Sequence, residues 1–205
     1  MKIERKEIKL SAKKHFKLSY GWLLLLELIH TVIGSVASSL YFVSLFIAGP
    51  LNVGLTRAHI DASKEKEVTV PTYFSGFKNY GITLAAGLLV EVFTFLWSLL
   101  LIVPGIIKGL SYSLTYYILA VDDKIGPNEA RKLSMQMMKG YKGQLFVLYL
   151  SFFGWALLSI LTFGVLAFFY TDLYLRQSLV EFKEKVYNAY NKTEPVKETK
   201  QVEAK

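Results

Sequence analysis

The chain of 205 residues contains no cysteine. That excludes disulfides, thiolate nucleophiles and cysteine-ligated metals, and it removes redox chemistry as a guide to compartment. Histidine is scarce as well: His15, His30 and His59 are far apart and lie in no ligand-like spacing, whereas a metal site needs several donors at recognisable intervals. H-E-x-x-H, G-x-S-x-G, a Walker loop and G-x-G-x-x-G are all missing. The reading is a non-enzyme, with no catalytic residues, no metal and no cofactor.

Charge is missing over long stretches. Tyrosine aside, residues 18–56 hold only Glu27 and His30, residues 81–121 only Glu91 and Lys108, and residues 144–171 no ionisable group. Such blocks are too long for soluble core helices, since a bilayer crossing needs about 20 apolar residues at about 1.5 Å each. With 53% hydrophobic residues and a mean hydropathy of +0.35, the chain reads as a polytopic membrane protein. The first apolar run exceeds an h-region and lacks an A-x-A-like exit, so it reads as a membrane hairpin rather than a cleavable signal.

The charges that remain are segregated. Residues 1–17 carry seven Lys/Arg against two acids, and residues 57–80 include Arg57, Lys64, Lys66 and Lys78. Residues 122–143 carry Lys124, Arg131, Lys132, Lys139 and Lys142, and seven more basic residues lie in 172–205. Short basic loops stay cytoplasmic, so all four segments fall on one side. The net charge of +8 then reflects membrane topology rather than a nucleic-acid partner. The expected fold is an all-α polytopic bundle of about six transmembrane or re-entrant helices in three hairpins, both termini inside. Its organisation is a basic amino-terminal segment (1–17), a single bundle (18–190) and a disordered polar tail (191–205) without aromatics.

Outer turns are expected near Ser35–Ser39, at Pro104-Gly105 and near Gly164. The third block crosses fully only if its second helix runs through Asp172 toward Arg176; otherwise it is a re-entrant hairpin. Lys108 lies 14 residues before Asp122, about 21 Å up a helix. It either snorkels to the outer headgroups or faces the bundle and pairs with an acid. Glu27, His30, Glu91 and Lys108 form the candidate intramembrane polar site, Glu27 and His30 sharing one helix face. Buried acids in a bilayer cost about 2.5–3.5 kcal/mol on insertion scales, so they serve either as packing hydrogen bonds or as a polar path.

Small residues (Gly34, Ser38, Gly49, Gly54, Gly81, Ala85, Ala86, Gly87, Gly154) allow close helix approach. Two segments echo one another: Gly76-Phe77-Lys78 and Gly140-Tyr141-Lys142 each precede an apolar run. Phe77, Lys78, Tyr141 and Lys142 are candidate contacts to anionic headgroups of the inner leaflet. Pro127 and Glu129 suit the first turn of a short cytoplasmic helix, and Glu181 and Lys185 are spaced to pair on the last helix. The apolar residues Ile3, Ile8, Leu10 and Phe16 of the amino-terminal segment make no single clean stripe.

The stretches "FSGFKNYG", "LWSLLLIVPGIIKGLSYSLTYYIL" and "EARKLSMQMMKGYKGQLFVLYLSFFGWALLSILTFG" resemble the bacterial integral-membrane family called domain of unknown function 975, common in Gram-positive bacteria. The resemblance covers roughly residues 70–165. Beyond Gly164 the chain has Phe169-Tyr170 where that family tends toward Pro-Tyr. It implies a multi-pass protein of the bacterial cell membrane without known catalytic residues. The expected action is contact with membrane lipids, a membrane-protein partner or a second copy, in the role of protection against membrane-active peptides or modulation of a transporter. The alternative is a small transporter or permeation pathway through the intramembrane Glu, His and Lys.

Overall fold

The computed structural model describes residues 3–38, 41–100, 102–162 and 164–193. Among them there is no strand. The helices are α1 (Arg5–Leu18), α2 (Tyr20–Ser38), α3 (Tyr41–Ser63), α4 (Val70–Phe74), a 3-10 turn (Ser75–Phe77), α5 (Tyr80–Leu100), α6 (Ile102–Tyr112), α7 (Thr115–Val121), α8 (Pro127–Met137), α9 (Lys142–Leu150) and α10 (Phe153–Leu161). A π-helix (Ala167–Thr171) then leads directly into α11 (Asp172–Thr193). The tail lies outside the described residues beyond Thr193, and α11 takes in its first three positions.

Two stretches are long and apolar enough to cross a membrane: Tyr80–Trp97 on α5 and Lys142–Leu161 across α9 and α10. Counting α1 and α2, which meet at 89°, as one bent span makes three. The further spans of a six-helix arrangement do not stand out by length and composition among the described residues. α3 carries Arg57 and Asp61 in its second half, and the return from α5 is divided into 11-residue α6 and 7-residue α7. Leucine, valine and phenylalanine repeat round α5 without a charged face, so both its core side and its outer side are apolar.

α3 is the central post, touching α2, α4, α5, α7 and α11. Pro50 inside it has no N–H for the carbonyl of Phe46. The hydroxyl of Tyr80 donates to that carbonyl at 3.2 Å, so the gap in the ladder is filled from α5. Glycines let the post be approached closely. A Cβ on Gly54 would overlap the backbone carbonyl of Tyr73, one on Gly76 that of Pro50, and one on Gly49 that of Thr83. Gly87 sits against Gly49 in the same seam. Gly34, Gly81 and Gly154 face open space and serve no such approach.

At the lower end of α3, Arg57 ties three elements together. Its guanidinium donates to the carbonyls of Leu119 (3.1 Å) and Ala120 (3.0 Å) at the end of α7 and to Ser75 (3.1 Å), and it pairs with Asp123. A cation on the last carbonyls of a helix suits both the orphan acceptors and the helix dipole. Ser134 repairs the break between α6 and α7, accepting from Leu114 N–H at 3.1 Å and donating to the Ser111 carbonyl at 2.8 Å.

Several sequence expectations change here. Pro104 and Gly105 are helical, inside the first turn of α6, while α5 ends at Leu100; proline suits that place because a first-turn N–H has no helical acceptor anyway. The amino-terminal segment is not separate from the bundle. Ile8, Ala12 and Phe16, at i, i+4, i+8, are buried against α11, and Leu10 stays exposed. Counting Ala12 as apolar restores the stripe that the larger residues alone do not make. α8 begins at Pro127 as expected, but it lies along α5, α6 and α7 with Ala130, Arg131, Ser134 and Met137 buried. Glu181 and Lys185 do not pair with each other: Glu181 meets His15 and Ser11, and Lys185 meets Glu7 at 2.9 Å. Gly164 has φ +84° in the α10 turn, and helix does run from the π-helix through Asp172 and Arg176.

Candidate functional site

Of the sequence-nominated polar residues, the fold brings together Glu27 and His30. Glu27 is buried on α2, and its Oε1 accepts from Arg176 Nε of α11 at 3.0 Å. Oε2 of the same carboxylate is buried with no hydrogen-bond partner among the described residues. One turn along α2, His30 Nδ1 and the hydroxyl of fully buried Tyr73 share a hydrogen bond at 3.1 Å. Asp172, one turn before Arg176 on α11, adds a second carboxylate near the guanidinium. The result is a charged cluster of Glu27, Arg176 and Asp172 flanked by His30 and Tyr73, joining α2, α4 and α11.

Glu91 and Lys108 are elsewhere. Glu91 on α5 neighbours Tyr116 of α7. Lys108 on α6 lays its ammonium 4.5 Å from the ring centroid of Trp97 on α5, a cation–π contact within one hairpin. Lys108 therefore pairs with an aromatic ring rather than an acid. The four nominated side chains occupy three places and do not line one path.

Arg176, Asp172 and Tyr73 were not nominated, because each falls in a segment read as cytoplasmic from its charge. The one available signal was spacing: Asp172 and Arg176 stand at i,i+4 directly after an uncharged block. A second buried pair was also missed. His59 Nδ1 donates to Gln177 Oε1 at 2.9 Å, and Gln177 Nε2 donates back to the His59 carbonyl at 3.4 Å. Burial holds the His59 imidazole down to about 4, so it is neutral at pH 7.

The nominated headgroup contacts are placed as follows. Lys78 is exposed beside the start of α5, and Phe77 stacks on Tyr80 with centroids 6.1 Å apart. Lys142 and Tyr141 are half-buried at the start of α9. The two Gly-aromatic-Lys motifs differ in structure: Gly76 is buried in a 3-10 turn with no room for a Cβ, whereas Gly140 has φ +82° and open space. They are a sequence echo and not a structural repeat.

Residues 99–190 match the family described as protein of unknown function DUF975. The match begins beyond Phe74, Gly76, Phe77, Lys78 and Trp97, which the sequence resemblance had included, and extends instead over α11 with Asp172 and Arg176. Uncharacterized proteins of Mycobacterium bovis and Mycobacterium tuberculosis are each 31% identical to this chain over 88 residues, 42% of this chain and 26% of the relative. The chain thus spans about a quarter of the length of the curated relatives it matches. No solved structure matches it.

Proposed function

We propose that this chain is a multi-pass helical protein of a bacterial cell membrane, with both termini on the cytoplasmic side, that acts without catalysis through contact with lipids or partner helices inside the bilayer. The supporting observation is the outward face of its apolar helices. Only 17% of the Tyr80–Trp97 window and 22% of the Lys142–Leu161 window are buried by the rest of the chain. Val92, Phe95 and Leu96 on α5, and Leu150, Phe153, Leu157 and Leu161 on α9 and α10, are exposed. Apolar surface on that scale needs a non-aqueous neighbour. Lys78, Phe77, Tyr141 and Lys142 then meet anionic headgroups at the inner leaflet. Within this reading the cellular role is protection against membrane-active peptides or modulation of a neighbouring transporter.

A permeation pathway would need Glu27, His30, Glu91 and Lys108 along one route, and their separation weighs against it. The discriminating experiment challenges a deletion strain with membrane-active peptides and ionophores. Complementation uses the wild type, Glu91→Gln and Lys108→Met. The expected result is sensitivity that all three genes rescue. Rescue by the wild type alone would replace the contact reading with a polar path, and absence of any sensitivity would remove envelope protection as the role.

A further inference from the structure

A groove of about 370 Å³ runs between the α9–α10 pair and the π-helix with α11. This is within the size range of small-molecule sites. One wall is Tyr149, Phe152, Phe153 and Ala156, and the other includes Thr171, Asp172 and Leu175. The lining on the first side runs from Tyr149 to Ser159, about 15 Å of helix rise.

Its polar groups are unequal. Ser159 Oγ donates to the Trp155 carbonyl at 2.8 Å and lies 3.4 Å from Thr171 Oγ1, so both hydroxyls have local partners. Asp172 is exposed, and among the described residues its carboxylate makes no hydrogen bond or ion pair. The nearby cation, Arg176, is engaged by buried Glu27 at 3.0 Å. A second cation close to these walls is Lys9, whose ammonium sits 4.2 Å from the Phe152 centroid and donates to the Ser151 carbonyl at 3.1 Å. Lys9 does not line the groove; its contact shows that the Phe152 ring holds an ammonium group on one of its sides. The π-helix at Ala167–Thr171 supplies an independent pointer. Such segments are rare and occur frequently at functional sites, because they rotate side chains out of the α-helical register.

We propose that this groove binds a cationic amphiphile, with an ammonium or guanidinium head against Asp172 and a single apolar chain along the Tyr149–Ala156 wall. An apolar trough alone would take any lipid chain. A carboxylate near Arg176 but outside hydrogen-bond and close ion-pair contact with it, the guanidinium being held by Glu27, and beside rings able to hold a cation, selects the positive head. The proposal rests on the membrane reading only in setting the groove against lipid, and it names a ligand class for the contact proposed there.

The test uses the full chain in nanodiscs of zwitterionic lipid, titrated with three fluorescent single-chain probes of equal length bearing trimethylammonium, sulfate or hydroxyl heads. Saturable binding is expected for the trimethylammonium probe alone. Asp172→Asn, a near-isosteric change at an exposed position, is expected to weaken it by roughly tenfold. Ala156→Phe, which fills the trough, is expected to abolish it, with folding of both variants checked by thermal melting. Equal binding of all three probes by the wild type, or none, overturns the proposal without needing a variant. So does unchanged affinity in folded Asp172→Asn. Failure here alongside full rescue in the complementation experiment would leave the contact reading standing and remove only this ligand.

Discussion

Glu27 shows how far one residue can be read from its neighbours in sequence. Its cost in an apolar helix follows from elementary solvation, and that cost required a partner. The sequence offered His30 on the same face, but the partner is Arg176, 149 positions away. The pair makes a definite prediction. Arg176→Met strands a buried carboxylate and should lower stability by about 3–5 kcal/mol. Glu27→Gln leaves the guanidinium with Asp172 one turn away, so it should cost clearly less. Glu27→Leu combined with Arg176→Met removes both charges and should recover most of the loss. Thermal unfolding of the four proteins in mild detergent gives the order directly. An Arg176→Met protein as stable as Glu27→Gln would show that the ion pair does not hold α2 to α11. The same limit applies to His59, which falls at the start of the basic segment 57–80 and is buried against Gln177. Tertiary partners of single polar residues carry no periodic signal.

Helices were more legible than partners, because capping and periodicity are local. Pro127 at the start of α8 and the turn at Gly164 follow from backbone rules that any tertiary context obeys. Misreadings arose where packing decides. α1 reads as a loose basic segment until Ala12 is seen to complete its buried stripe. The six glycines among the nine small residues look equivalent in sequence, yet of these Gly49, Gly54 and Gly87 on the α3 seam are pressed against another backbone and Gly34, Gly81 and Gly154 are not. Gly54 and Gly34 therefore make a sharp comparison at this scale. Gly54→Ala forces a methyl into the Tyr73 carbonyl and should destabilise by about 2 kcal/mol or more, as overpacking does. Gly34→Ala has open space and should be neutral, or stabilising by up to about 1 kcal/mol through helix propensity. Denaturant unfolding measures both, and equal behaviour would mean that α3 and α4 are not in the contact described.

At the scale of the whole molecule, the proposed membrane topology and the segregation of charge together pose one question, namely how the chain would return after each crossing. α5 and the α9–α10 pair qualify as spans on length and composition. If only these crossed, Lys124 and Lys139 would face the opposite side from Lys66. For all the basic segments to share one side, α6 and α7 must carry the chain back together. Their 11 and 7 residues amount to about 27 Å of rise, near the thickness of a hydrocarbon core. Ser134 bridging the break is what would let them act as one. The absence of native cysteine makes this directly measurable, since each introduced thiol is the only one in the chain. Single cysteines at Lys13, Lys66, Lys124 and Lys139 should react with a membrane-impermeant maleimide only after permeabilisation. Cysteines at Val36 and Thr162, both exposed, should react in intact cells. Labelling of Lys124→Cys from outside would mean that α6 and α7 do not return the chain. Protection of Val36→Cys would reduce the bent α1–α2 pair to an interfacial element, leaving α5 and α9–α10 as the crossing helices.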